Sequence, residues 1–223
     1  MGCLQCFQPT VFRPDDSDVS GMSRLHALLR DKRARPLRVI ELGAGCGIAG
    51  IALAQLVPHC SVFLTDLPEA QEMLQKNIDV AKPAPGSSLR RGLLEWGPVS
   101  STSILQSDPD LVLISDCTYN ADSCAALVQT LVCLAQHAKD IKILVAMKRR
   151  HDAEAVFEHK MDQNGFTPLE CTKLAIPHRE SEMDPSRPVV ELYLYEWLDA
   201  AGNTSPCEPC GVPKPSPRSS CHP

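Results

Sequence analysis

The chain has 223 residues, a formal net charge of −5 and 43% apolar residues. That is enough for one buried core with short tails, and it excludes a disordered chain, a collagen and a coiled coil. The mild acidity argues against broad electrostatic binding of nucleic acid, and the longest near-apolar run, Ile48 to Pro58, contains Gln55 and is too short to cross a bilayer.

Residues 1–20 show little periodicity and no secretory signal. Met22 to Arg33 reads as a short helix with Leu25, Leu28 and Leu29 on one face and Pro36 as its stop. Arg30, Lys32, Arg33, Arg35 and Arg38 form a basic cluster, read as a solvated face. The chain then alternates. Leu37–Leu42 is a short apolar strand, followed by a glycine turn and a helix over Ile48–Val57. Ser61–Thr65 is a second strand, and Pro68–Ala81 a helix whose proline suits the first helical position. After a Pro/Gly/Ser loop, Leu89–Leu94 is read as a third strand. Leu111–Ser115 is apolar until its end, which predicts a central strand buried on both faces. A helix over Ala121–Ala138, a strand over Ile141–Met147 and a helix over Ala153–Gln163 follow. Thr167–Ile176 and Val189–Leu198 are strands with no helix between them, so they are expected to pair antiparallel. The pattern is that of an α/β fold: a mainly parallel sheet with helices on both faces, closed by a late hairpin.

Three units are expected: residues 1–36 as a segment with a short helix, 37–198 as the main domain, and 199–223 as a disordered tail. Six of the nineteen prolines fall in the last 23 residues. Eleven cysteines in a chain without a signal peptide read as reduced thiols acting as small hydrophobes. The pairs Cys3/Cys6 and Cys207/Cys210, the latter followed by Cys221 and His222, have zinc-ligand chemistry. Nothing between them would build a core around the ion, so no metal is expected. Met1-Gly2-Cys3 is a near miss for acylation because Cys6 stands where Ser or Thr is needed, so no stable membrane association is expected.

The sharpest local signal is Glu41-Leu42-Gly43-Ala44-Gly45-Cys46-Gly47, where the first strand meets the first helix of the alternating part. Glycines there turn the backbone tightly and let a ligand approach without a Cβ in the way. Asp66 ends the second strand, where a carboxylate can accept from both hydroxyls of a ribose. The pair implies a nucleoside-containing cofactor. Gly45, Gly47 and Gly50 satisfy the dinucleotide fingerprint GxGxxG. That reading leaves Glu41 unexplained, whereas S-adenosylmethionine carries two cationic groups that a buried-side carboxylate can receive. Leu94-Glu95-Trp96-Gly97 follows the third strand with an indole that suits an adenine, and Asp116-Cys117-Thr118-Tyr119 follows the fourth at the same sheet edge.

Together, the segments at 41–50, 65–69, 77–78, 94–97 and 115–119 resemble the seven-strand S-adenosylmethionine-dependent methyltransferases, most of all the family-16 protein-lysine methyltransferases of the methyltransferase-like 21 group. The Asp-x-x-Tyr after the fourth strand is the most specific of these motifs. The resemblance implies a Rossmann-like sheet of order 3-2-1-4-5-7-6. It implies that Glu41, Gly43, Gly45 and Gly47 hold the methionine portion of the cofactor, Asp66 the ribose, and Leu67 and Trp96 the adenine. Ser115 joins this cofactor-binding set; the family usually has a small apolar residue there. Asp116 and Tyr119 would face the methyl group and the incoming amine as catalytic residues. The implied partner is a lysine-bearing protein, with no nucleic acid, met by a monomer in the cytoplasm and also the nucleus.

The family also has a Trp-containing stretch before the glycine turn, and none of the 36 residues ahead of Leu37 is Trp. This motivates the alternative of a non-catalytic interaction protein on the same fold. A methyltransferase acting on nucleic acid or a small molecule is a third reading, although Cys117 and Thr118 stand where adenine-amine enzymes carry two prolines. The run Lys148-Arg149-Arg150-His151 reads either as a docking patch for an acidic protein or as a solvated loop, and the polar segment 178–187 as a possible substrate contact.

Overall fold

The computed structural model describes residues 22–31, 34–98, 108–138, 140–150, 152–175 and 189–198. The acylation-like start, both CxxC pairs with Cys221 and His222, the tail, His151 and the 178–187 segment lie outside the described residues.

Seven strands form one sheet: β1 (Leu37–Leu42), β2 (Cys60–Asp66), β3 (Ser88–Leu93), β4 (Leu111–Ser115), β5 (Lys142–Met147), β6 (Phe166–Ala175) and β7 (Val189–Trp197). Their order is 3-2-1-4-5-7-6. Strands β1 to β5 run parallel, and β7 is antiparallel to both β5 and β6. Both expectations for the sheet, its order and its late hairpin, are therefore met.

Helices α1 (Ser23–Arg30), α2 (Ile48–Leu56) and α3 (Gln71–Val80) cover one face, and α4 (Ala121–His137) and α5 (Ala153–Gln163) the other. Strand alternation explains this, since successive side chains point to opposite faces. In β1, Val39 packs with Val62, Leu64, Ala54 and Leu74, whereas Ile40 and Leu42 pack with Val112, Ile114, Leu127 and Leu131. In β4 every residue from Leu111 to Ile114 is buried, as an apolar run at the sheet centre requires.

Two details differ from the sequence reading. Helix α1 ends at Arg30 with Asp31 extended, well before Pro36. No large apolar residue follows Leu29 in this stretch, so a longer helix would have nothing to bury. Its start is held by β6: Glu170 accepts from Ser23 Oγ at 3.0 Å and from the Arg24 and Leu25 N–H groups at 2.7 and 3.2 Å. The basic cluster is also not simply solvated. Arg35 holds Asp110 through two bonds of 2.7 and 2.8 Å, and Arg38 reaches Asp108 at 3.2 Å, which ties the approach to β1 to the approach to β4.

Gly50 sets how closely α2 sits on the sheet. A Cβ there would lie 2.4 Å from Leu64 Cδ2 and 2.5 Å from Glu41 Oε2, both buried. Overpacking a core costs about 1–3 kcal/mol, more than the roughly 1 kcal/mol alanine gains in helix propensity. Gly50→Ala is therefore expected to lower the urea midpoint of unfolding.

Candidate active site

Strand β1 lies between β2 and β4, so the connections leave it in opposite directions at its carboxyl end. Open α/β sheets bind ligands at such a switch point. A cleft of about 490 Å³ opens there, between the glycine turn, the end of β2, the segment after β3 and the start of α4. That size suits a small-molecule ligand.

The glycine turn forms its floor. Gly43, Gly45 and Gly47 have φ of +65°, +56° and +81°, the left-handed region where a side chain is strained. A Cβ on Gly43 would sit 2.8 Å from both Cys117 Sγ and Trp96 Cζ2, so the bare backbone makes room for the indole. Asn77 of α3 donates from Nδ2 to the Cys46 carbonyl at 2.7 Å and pins the turn from outside. The Ala44 N–H donates to the Thr65 carbonyl at 3.0 Å.

Asp66 closes the β2 side. Its Oδ2 accepts from the Gly45 N–H at 2.6 Å and its Oδ1 from the Leu67 N–H at 2.7 Å. Each oxygen keeps a lone pair for a further donor. Gln71 steadies this corner by donating to the Asp66 carbonyl and the Gly92 carbonyl, both at 3.0 Å.

The segment carrying Trp96 is anchored to α4. Thr130 is fully buried; its Oγ1 accepts from the Gly97 N–H at 2.9 Å and lies 3.1 Å from the Gly97 carbonyl. Removing the hydroxyl leaves a buried N–H without its acceptor, which costs about 1–3 kcal/mol. Thr130→Val is expected to lower stability by that amount, measured by urea unfolding.

Asp116 follows β4 at φ +57°, a conformation that aspartate tolerates better than most residues. Its N–H donates to the Ala146 carbonyl at 2.9 Å. The carboxylate takes two bonds from the Arg150 guanidinium, at 2.8 and 3.0 Å. Tyr119 stands beside it, largely exposed.

Eight of the ten site residues read from the sequence therefore share one cleft wall: Gly43, Gly45, Asp66, Leu67, Trp96, Ser115, Asp116 and Tyr119. Gly47 and Glu41 sit behind it. Gly47 caps α2, with Leu64 and Leu74 where its Cβ would go. Glu41 is 2% exposed and accepts from the Gly50 N–H at 2.9 Å. Burial, with a smaller contribution from Asp66, pushes its carboxyl up to about 7, against the lowering effect of the Gly50 hydrogen bond.

The sequence reading missed several wall residues. Asn120, Ser123 and Ala126 also line the cleft. Their three-residue spacing down the first turns of α4 was the available signal. Cys117 was read only as a small hydrophobe. Its thiol is within 3.3 Å of the Leu42 and Ser115 carbonyls, and burial pushes it up to about 12, so it stays protonated as a donor. The basic run after β5 is not an open docking patch either. Arg149 is bound by Glu158, Glu191 and Tyr193, and Arg150 by Asp116.

Residues 17–164 match the model of a family described as lysine methyltransferase. That is more than half of the chain. The chain belongs to the lysine methyltransferase family. Within curated relatives, the mouse EEF1A lysine methyltransferase 3 is 35% identical over 130 residues, covering 58% of this chain and 54% of that protein. Protein-lysine N-methyltransferase EFM6 of Saccharomyces cerevisiae is 30% identical over 147 residues, covering 60% of this chain and 58% of that protein. The chain thus spans a little over half the length of these two relatives. Among solved structures, a SAM-dependent methyltransferase from Methanosarcina mazei aligns with a TM-score of 0.55 at 10% identity, covering 78% of this chain and 97% of that one. That likeness concerns the fold, which this lysine methyltransferase family member shares with methyltransferases of very different sequence.

Among the described residues, no group of three or more His, Cys, Asp and Glu is arranged to hold a metal ion, and no helix is long and apolar enough to cross a membrane.

Proposed function

We propose that the protein transfers a methyl group from S-adenosylmethionine to a lysine side chain of another protein. The observation that carries this reading is the convergence of Asp116 and Tyr119 with the glycine turn and Asp66 on one cleft at the switch point.

The residues present fit the cofactor. Gly43 and Gly45 offer bare backbone to the methionine portion, with the Glu41 carboxylate directly behind for its cationic end. Asp66 has free lone pairs for the ribose hydroxyls, and Leu67 and Trp96 offer apolar surface to the adenine. Ser115 supplies a hydroxyl at the β4 end. When bound, the cofactor supplies an electrophilic methyl group on a sulfonium. Everything else falls to the protein. A lysine amine has a pKa near 10.4, so bringing it in with a free lone pair at neutral pH costs about 4 kcal/mol. The cleft offsets this by desolvating the amine. Asp116 and Tyr119 hold it in line with the methyl group, which is a matter of orientation rather than of base strength.

The mouse relative's name points to EEF1A as its substrate, which makes elongation factor 1A the first candidate here. Residues 37–198 act as the catalytic unit, the protein works as a monomer without nucleic acid or stable membrane attachment, and its place is the cytoplasm and also the nucleus. The test is labelling of a cell extract with tritiated cofactor, followed by mass spectrometry of the labelled bands, with calorimetry of S-adenosylhomocysteine alongside. A labelled lysine on one protein is expected. Tight cofactor binding without any labelling favours the interaction-protein reading, and labelled RNA alone favours a nucleic-acid enzyme.

A further inference from the structure

We propose that Arg150 is a positioning residue that cancels the charge of Asp116, so that the cleft holds a neutral amine instead of trapping an ammonium. The proposal rests on the methyl-transfer reading of the cleft and goes beyond it in naming what keeps the amine reactive.

The chemistry sets a problem that the Asp-x-x-Tyr motif alone does not solve. A bare carboxylate beside a lysine amine raises the amine's pKa and favours its protonated form. That form has no lone pair and cannot accept a methyl group. Arg150 resolves the conflict. Its guanidinium meets both Asp116 oxygens, at 2.8 and 3.0 Å. The pair has no net charge, yet each oxygen retains a lone pair to orient an incoming N–H. A guanidinium does not deprotonate in the working range, so the cancellation holds at every relevant pH.

The placement of Arg150 is built. Ser115 pairs with Ala146 across β4 and β5, which brings the ends of these strands side by side. The Arg150 N–H donates to Glu154 Oε1 at 3.3 Å, and Glu154 is buried at the start of α5. The preceding Arg149 is committed to Glu158, Glu191 and Tyr193, so it does not compete for Asp116. The other ionisable groups on the cleft wall are Asp66, Glu95, Tyr119 and the neutral Cys117 thiol. They are unchanged when Arg150 alone is replaced.

Two nucleoside probes test this without a known protein substrate. S-adenosylhomocysteine has no amine at the transfer position. Sinefungin is an analogue with an amine on the carbon that replaces the sulfur. Both share the same amino-acid end and nucleoside, so the ratio of their affinities reports the environment of that one amine. Calorimetry from pH 6.5 to 9 is expected to show the ratio moving towards sinefungin as pH rises in the wild-type protein, because the neutral amine is the form bound. In Arg150→Met and Arg150→Gln the ratio at pH 6.5 is expected to favour sinefungin roughly tenfold more, as an uncompensated carboxylate holds the ammonium. Their pH dependence flattens or reverses. Arg150→Lys keeps a cation in place and is expected to lie near the wild type.

Equal ratios in the wild type and both neutral variants at every pH overturn the proposal. So does a flat wild-type ratio, which would make Arg150 a mere placeholder that an ammonium displaces. Failure of the wild type to bind S-adenosylhomocysteine is a separate result: it overturns the cofactor reading, and the role of Arg150 falls with it.

Discussion

Asp116→Asn is expected to lower methyl transfer by roughly a hundredfold or more, the scale set by losing alignment at a reacting centre, while leaving S-adenosylhomocysteine affinity within about threefold, since the change leaves the glycine turn and Asp66 intact. Asparagine keeps the shape of the side chain and tolerates the φ of +57° at this position. The fold should therefore survive. The ion pair that is lost joins two partly exposed side chains, 38% and 55% accessible, and such pairs contribute about 1 kcal/mol or less. Function suffers for a different reason. The asparagine oxygen turns to Arg150, the one strong donor nearby. The amide NH2 then faces the incoming amine, donor towards the lone pair that must attack, and Arg150 stands with an uncompensated charge. Asp116→Ala adds a backbone cost, because alanine resists the left-handed conformation. Turnover of the substrate found by labelling and the melting temperature separate the two effects. Near-normal turnover in Asp116→Asn would remove the carboxylate from the mechanism.

Much of this site was legible in the sequence because local patterns carried it. The apolar run Leu111–Ile114 could only be a buried central strand, and whatever follows such a strand lies at the sheet's functional edge. That placed Asp116 and Tyr119 in the cleft before any coordinates. The glycines after β1 and the acid after β2 converge for the same reason, since two parallel neighbours end side by side. What stayed hidden depends on register and depth. Arg150 lies 34 residues from Asp116. A run of basic residues after β5 reads equally well as a solvated loop, until β4 and β5 are aligned and the two ends meet. Thr130 gave no signal at all as the anchor of the Trp96 segment, because a mid-helix threonine satisfies itself as easily on its own helix. Glu41 was legible as an unusual acid but not as a buried one. Its position on β1 faces the α2 layer, and the closeness of that layer is set by Gly50, which the dinucleotide fingerprint explains in another way.

That burial gives Glu41 the second large effect. Its carboxyl titrates at about 7 in the folded protein, against 4.5 for the free side chain. The folded state therefore holds the proton more tightly than the unfolded state. Stability attributable to this group is fully present below about pH 4.5, falls as pH rises towards 7, and is level above that. A shift of this size corresponds to something on the order of 3 kcal/mol. Glu41→Gln keeps an oxygen for the Gly50 N–H and removes the ionisation. The variant is expected to match the wild type near pH 5 and to unfold at a higher urea concentration at pH 8, with a flatter profile between. Cofactor binding should move the opposite way. If the cationic end of S-adenosylmethionine sits in front of Glu41, it favours the ionised carboxylate, so binding near pH 6.5 releases protons from Glu41, and Glu41→Gln abolishes that release while weakening affinity. Calorimetry in two buffers of different ionisation enthalpy measures the protons directly. A residue kept only for packing would gain stability on substitution at high pH and change nothing in the cleft. Glu41 is expected to exchange stability for affinity, which is what a buried acid behind a cation site does.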